Sequence, residues 1–345
     1  MQGLWRTVLS TNIVAASPSS IGRALLTVSD FGEVFRIPLD DLSESAFHLE
    51  SISRFRLPDG LREPVGGLVL PDGRMAAWCG GREPALWTIN STGHLEQRWP
   101  LPAAPETDPV PLAGGIATAL PGRLHMTASG RRVDDYRNSD ELNQQVTWKA
   151  LVPVSDTQLL ALNSDDQLVR VEYRTSPRPH LAEVSITQMD GSIDVAPVAS
   201  GEFLVVVTVD GRLILMRAAT LELLAEVQLE AAAGQPAAIS GNRLFVDVGG
   251  REVRVFDFSA ELTATGSFPL NRDQLVSPPL ALADGGFLAA LSGGTVLRLD
   301  PDGNSSGPPV RLSQQLQRGP LIAGETILVV AFDGSLYSLN DLLTR

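Results

Sequence analysis

The 345-residue chain carries a formal net charge of −13 and is 43% hydrophobic but only 6% aromatic. That charge disfavours nucleic acid and anionic membrane as partners, since both need clustered positive charge. No apolar run approaches the roughly 18 residues of a membrane-spanning helix, so no membrane insertion is predicted. The first ten residues lack the basic and apolar segments of a secretory leader, which leaves periplasm and cytoplasm both open. The start of the chain fits either a mature form or a domain of a longer protein. Cys79 is the one cysteine and cannot close an internal disulfide. Lys149 is the one lysine among 27 basic residues, which fits GC-rich bacterial coding better than a function.

In chain order the same unit recurs: a β-branched or apolar run, a tight turn, and a return run. Its clearest copy is residues 201–217, GEFLVVVTVDGRLILMR. Residues 203–209 have the composition of a strand buried on both faces. Asp210-Gly211 reads as the turn, because glycine takes positive φ without a Cβ clash. The other copies begin near residues 23, 73, 123, 157, 243, 287 and 327. Marking each by its last turn residue gives Gly32, Gly81, Gly130, Asp166, Gly211, Gly250, Gly294 and Gly334. The successive spacings are 49, 49, 36, 45, 39, 44 and 40 residues, and passing from the last marker through the C-terminus to the first gives 43. A wrap-around equal to the internal spacing predicts a whole number of repeats in a closed ring.

A period of about 40–45 residues with four short strands each indicates a β-propeller. Before each turn unit lies a short Gly, Ala, Pro and Ser-rich segment, such as 195–200, 277–284, 113–120 and 318–324. Small side chains suit innermost strands that converge on an axis. After each unit lies a more polar strand, such as 223–230, 180–188 and 308–315, as expected of an outer strand with one wet face. The last repeat lacks its outer strand, and residues 3–10 form a spare strand before the first. The expectation is one all-β domain over residues 1–345, an eight-bladed propeller of four-stranded antiparallel blades. Residues 3–10 would supply the outer strand of the last blade and close the ring.

Three stretches depart from the repeat. Residues 99–112 contain five prolines, which exclude ladder pairing over much of the segment. Residues 131–148 are polar throughout, and residues 173–180 read as an insertion in the fourth repeat. Loops on a rigid scaffold carry function more often than the scaffold does, so these three are the candidate partner surface. Residues 300–304, Asp-Pro-Asp-Gly-Asn, resemble the start of a calcium loop. Ser305 and Arg311 stand where such a loop needs Gly and Glu, which favours a plain polar turn. His48, His94, His125 and His180 fall in different repeats, and none lies at metal-ligand spacing with another or with Cys79. Asp134-Asp135 and Asp165-Asp166 are adjacent pairs, and neighbours on a strand point to opposite faces, so neither reads as an acid/base couple. No nucleophile elbow or phosphate-binding loop occurs. No catalytic or metal residue is assigned. Asn90 and Asn304 fit the glycosylation pattern, which is common by chance.

The segments FDGSLYSLN (332–340), VDGRLILMRAATLELLAEVQL (209–229) and INSTGHLEQRW (89–99) resemble the PQQ-like repeat family of quinoprotein-alcohol-dehydrogenase-like propellers. The resemblance runs the length of the chain and implies eight blades. No Trp-Asp dipeptide supports a WD40 repeat, and paired glycines mark only three turns, which disfavours kelch. Family enzymes hold PQQ and calcium at the axis with an aspartate base, stacked tryptophans and an adjacent cysteine pair. This chain has no Cys-Cys, and Trp5, Trp78, Trp87, Trp99 and Trp148 do not recur once per repeat. The enzymes' residues therefore do not carry over, and no cofactor is expected. The resemblance points instead to the non-enzymatic, BamB-like branch, whose members bind partner proteins. The sequence thus favours a non-catalytic scaffold for protein–protein interaction. The alternative is a quinoprotein-like enzyme or small-ligand binder with its site at the axis.

Overall fold

The computed structural model describes residues 6–8, 12–20, 24–38, 53–57, 65–137, 146–258, 261–323 and 326–339. It is an eight-bladed β-propeller of four-stranded antiparallel sheets, and the described residues contain no helix long and apolar enough to cross a membrane. The first seven blades span residues 13–56, 65–100, 110–137, 148–188, 198–228, 238–269 and 280–311. The eighth takes Leu316–Ala323, Thr326–Ala331 and Ser335–Ser338, and its fourth strand is Arg6–Val8. Arg6 pairs with Tyr337, Thr7 with Leu336 and Val8 with Ser335. The remainder of the predicted closing strand, and His48, lie outside the described residues.

Each blade has apolar side chains on both faces, because it is stacked between two neighbours. The strand Thr326–Ala331, TILVVA, is buried at every position. Among the described residues the core divides into eight clusters, one in each seam between adjacent blades. The seam between the sixth and seventh blades is centred on Phe245 and Phe287, whose rings stack with centroids 3.4 Å apart. Innermost strands touch one another around the axis. There the backbones come close enough that side chains must be small. A Cβ on Gly67 of the second blade would lie 2.9 Å from the Ala15 Cβ and 3.1 Å from the Val14 backbone of the first blade.

The turns between second and third strands share one design in the first, fourth, fifth, seventh and eighth blades. In the fifth blade the Thr208 carbonyl accepts from Gly211 N at 2.9 Å, and Thr208 N donates to Arg212 O at 2.9 Å. This is a hairpin with one extra residue in left-handed conformation, and Gly211 has φ of 86°. Asp166 occupies the same place in the fourth blade with φ of 57°. Its Oδ1 accepts from Lys149 Nζ at 2.8 Å and from Ile193 N at 2.9 Å, which offsets the cost of that conformation.

Three residues before this place, a buried polar side chain accepts from a turn amide. Ser29 Oγ takes Glu33 N at 3.0 Å, Asn163 Oδ1 takes Gln167 N at 2.9 Å and Thr208 Oγ1 takes Arg212 N at 3.0 Å. In the sixth blade Asp247, one place earlier in the register, accepts from Gly250 N at 2.9 Å. A neutral acceptor satisfies the amide for about 1 kcal/mol. A carboxylate does so only with a buried charge.

One assignment from the sequence is corrected. In the third blade the turn between second and third strands is Pro121-Gly122, not Gly130. Residues 113–120 do not form the innermost strand: Gly115–Leu120 is second, and the innermost is Val110–Leu112, inside the proline-rich stretch. Pro111 is tolerated there because an innermost strand has one edge facing the axis with no ladder to feed. With Gly122 as marker the flanking spacings become 41 and 44 residues, and the irregular 49 and 36 disappear.

Two outcomes follow. A chain lacking residues 1–10 loses the fourth strand of the eighth blade, and its thermal melt falls by several degrees; an unchanged melt contradicts this. Burial pushes the Asp247 carboxyl above its usual range, with the Gly250 amide opposing. A raised folded value means that stability falls as pH climbs from about 4 through that value. Asp247→Asn keeps the acceptor and removes the charge, so it melts higher than the parent at pH 7, with the gain vanishing below about pH 4.

Candidate functional site

The seam between the second and third blades is the thinnest. Its cluster has six buried apolar residues (Leu70, Ala76, Trp78, Leu86, Leu101 and Ile116), against seventeen between the third and fourth blades. The topology explains the difference. The outer strand of the third blade is only Tyr136–Arg137, paired with Leu124 and Arg123. The chain just before it is diverted onto the next blade. Asp134 N donates to Pro179 O and Leu181 N donates to Asp134 O, both at 3.0 Å. Among the described residues, the rest of the third strand therefore has no fourth strand outside it. A groove of about 580 Å³ occupies that place on the outer rim, with Trp99 and Pro100 of the second blade as its far wall.

Side chains fix the groove's near wall. Asp135 Oδ1 accepts from His125 Nδ1 at 2.8 Å, and Oδ2 lies 3.4 Å from Arg123 Nη1. Asp134 pairs with Arg178 at 2.5 Å, and Tyr136 Oη donates to Glu183 at 2.6 Å. Arg131 Nη1 reaches the Tyr173 hydroxyl at 3.5 Å. Residues 131–137 and 173–180, two of the three stretches singled out from the sequence, are thus locked together. The two carboxylates of Asp134-Asp135 aim apart, each to its own cation, as expected of neighbours on an extended chain.

The third stretch, 99–112, begins at the groove with Trp99 and Pro100, and its later residues run elsewhere. Glu106 accepts from Trp148 N at 2.9 Å, and burial raises its carboxyl while that bond lowers it. Burial draws the Arg318 guanidinium down, with Asp108 opposing, and its Nη1 donates to Val14 O at 3.0 Å.

The remaining candidates are structural. Asp300 Oδ1 accepts from Asp302 N at 2.9 Å and Asn304 N at 2.8 Å, closing the polar turn. His94 Nδ1 meets Thr92 Oγ1 at 2.8 Å in the Asn90 turn, and His180 Nδ1 meets Arg178 O at 2.7 Å. Cys79 is buried. Among the described residues no three His, Cys, Asp or Glu side chains group as metal ligands. Trp78, Trp87 and Trp99 all belong to the second blade, so they do not ring the axis as the quinone site implied by the sequence resemblance requires. The rim groove was not foreseen. Its one sequence signal was the polarity of residues 131–137.

Burial pushes the Asp135 carboxyl up, but the His125 hydrogen bond and the charges of His125, Arg123 and Arg137 hold it below its usual range. A lowered folded value means stability that is present above about pH 4 and lost as pH falls through the folded value. Asp135→Asn therefore melts below the parent at pH 7, and the two curves converge as the parent's carboxyl protonates at lower pH.

No family profile matches the chain, and no curated protein sequence does. Solved structures do. BamB from Moraxella catarrhalis superposes with a TM-score of 0.71 at 14% identity, covering 96% of this chain and 97% of that one. The C-terminal WD40 domain of Sif2 gives 0.67 at 12%, covering 97% and 98%. BBS1N, solved in complex with ARL6DN, gives 0.58 at 14%, covering 79% and 90%. At these identities what is shared is the β-propeller fold.

Proposed function

We propose that this propeller is a non-catalytic module that docks a protein partner on its outer rim, beside the joined loops of the third and fourth blades. The observation that carries the reading is the locking of residues 131–137, most of which line an open groove, to residues 173–180. Two stretches that break the repeat are held rigid by Asp134–Arg178, Tyr136–Glu183 and a backbone bridge. Loops fixed before a partner arrives cost little ordering on binding. A further support is that one similar propeller, BBS1N, was solved bound to another protein.

The test places a photo-crosslinking amino acid at Thr175, exposed in the fourth-blade loop, and at Thr263, exposed on the sixth blade as control. Irradiation in the source cell's lysate at physiological salt is expected to give a discrete protein adduct from position 175 and none from 263. No adduct, or the same adducts from both, counts against the reading. The alternative, a small-ligand or quinoprotein-like site at the axis, is separated by melting the chain with PQQ and calcium. A clear upward shift there would favour the axis.

A further inference from the structure

The rim groove has a chemistry of its own. Four arginines, Arg123, Arg131, Arg132 and Arg137, cluster within fifteen residues of a chain whose net charge is −13. Two carboxylates stand among them, and both are already matched. Asp135 is held by His125 and Arg123, and Asp134 by Arg178. Arg131, Arg132 and Arg137 are exposed and line the groove, and among the described residues none of them forms an ion pair. Arg131 has only its long contact to the Tyr173 hydroxyl. The groove's other wall is formed by Trp99 and Pro100 of the second blade. Its volume of about 580 Å³ has room for several side chains.

Three exposed arginines at positions 131, 132 and 137 of one segment can each meet a separate carboxylate of an extended acidic chain, through charge-assisted hydrogen bonds. The apolar wall opposite them suits a hydrophobic side chain between those carboxylates. The acidic bulk of the protein does not forbid this. At physiological ionic strength charges beyond about 8 Å are largely screened, so the local excess of arginine decides.

We propose that the groove between the second and third blades takes an acidic, extended segment of a partner protein, its carboxylates meeting Arg131, Arg132 and Arg137 and an apolar side chain seated on Trp99 and Pro100. This rests on the reading that the partner is a protein, and it names the chemistry that partner must present.

The test uses the whole chain and the fluorescence anisotropy of a labelled dodecapeptide of alternating Glu and Leu. A Gln/Leu peptide is the uncharged arm, and a Glu-free phosphoserine/Leu peptide is the phosphate arm. The Glu/Leu peptide is expected to bind saturably, more weakly at about 300 mM than at about 50 mM NaCl, and the Gln/Leu peptide not to bind. Arg132→Glu with Arg137→Glu is expected to raise Kd about tenfold or more, the loss of two charge-assisted contacts. Arg272→Glu with Arg311→Glu makes the same charge change at exposed sites on other blades and is expected to stay within about twofold. All four positions are exposed, and thermal melts check that the variants fold. Absence of saturable Glu/Leu binding, equal binding of the Gln/Leu peptide, equal loss in the two double variants, or binding of the phosphoserine peptide alone overturns the proposal. A partner still crosslinked from position 175 in the Arg132→Glu, Arg137→Glu variant removes this site while leaving the protein-binding reading standing.

Discussion

Every blade is apolar on both faces, and this single constraint organises the molecule. A four-stranded sheet such as that of residues 316–338 with Arg6–Val8 cannot hide both faces by itself, so it must be stacked between two others. Stacking twisted sheets in one rotational sense brings the last back to the first. Among the described residues the eight seams then hold the core. Small residues at the inner strands follow from convergence on the axis, and Gly67 beside Val14 and Ala15 shows how little room there is.

The turns are where the ring meets water, and there the repeat is chemical as well as geometric. A polar residue at the end of each of several second strands caps the turn that follows. Ser29, Asn163 and Thr208 occupy one repeat position and perform one task, and Asp247, one place earlier in the sixth blade, caps its turn as well. They are buried because the neighbouring blade covers them. Their polarity is tolerated because each accepts a hydrogen bond that nothing else would supply. Asp247 alone does this with a carboxyl, and its raised protonation tendency records the cost.

The third blade breaks the pattern, and the consequences reach its neighbours. Its chain leaves the blade's edge at Asp134 to pair with the fourth blade, so its outer strand shrinks to two residues. The seam with the fourth blade gains Tyr136, Val133 and Tyr173 and becomes the fullest. The seam with the second blade keeps six buried apolar residues and opens on the rim. One rerouted segment thus both tightens one seam and exposes the next. It also brings the polar residues of 131–137 to an edge where a partner can reach them.

The sequence by itself determined the period, the blade number and the four-strand unit. Those depend on local chemistry: a β-branched run, a Gly able to take positive φ, then another run. It misplaced the turn of the third blade because Pro121-Gly122 and Ser129-Gly130 are both good turn signals. Which one joins the second and third strands is decided by register, through the hairpin at Ala113-Gly114 that makes Gly115–Leu120 a second strand. Likewise Pro111 reads as a breaker until one sees that an inner strand has a free edge. Only the tertiary structure paired Asp135 with His125 and Asp134 with Arg178, and only it left Arg132 and Arg137 along a groove. Contacts between blades join residues far apart in the chain, and local periodicity carries no record of which side chains a seam will bring together.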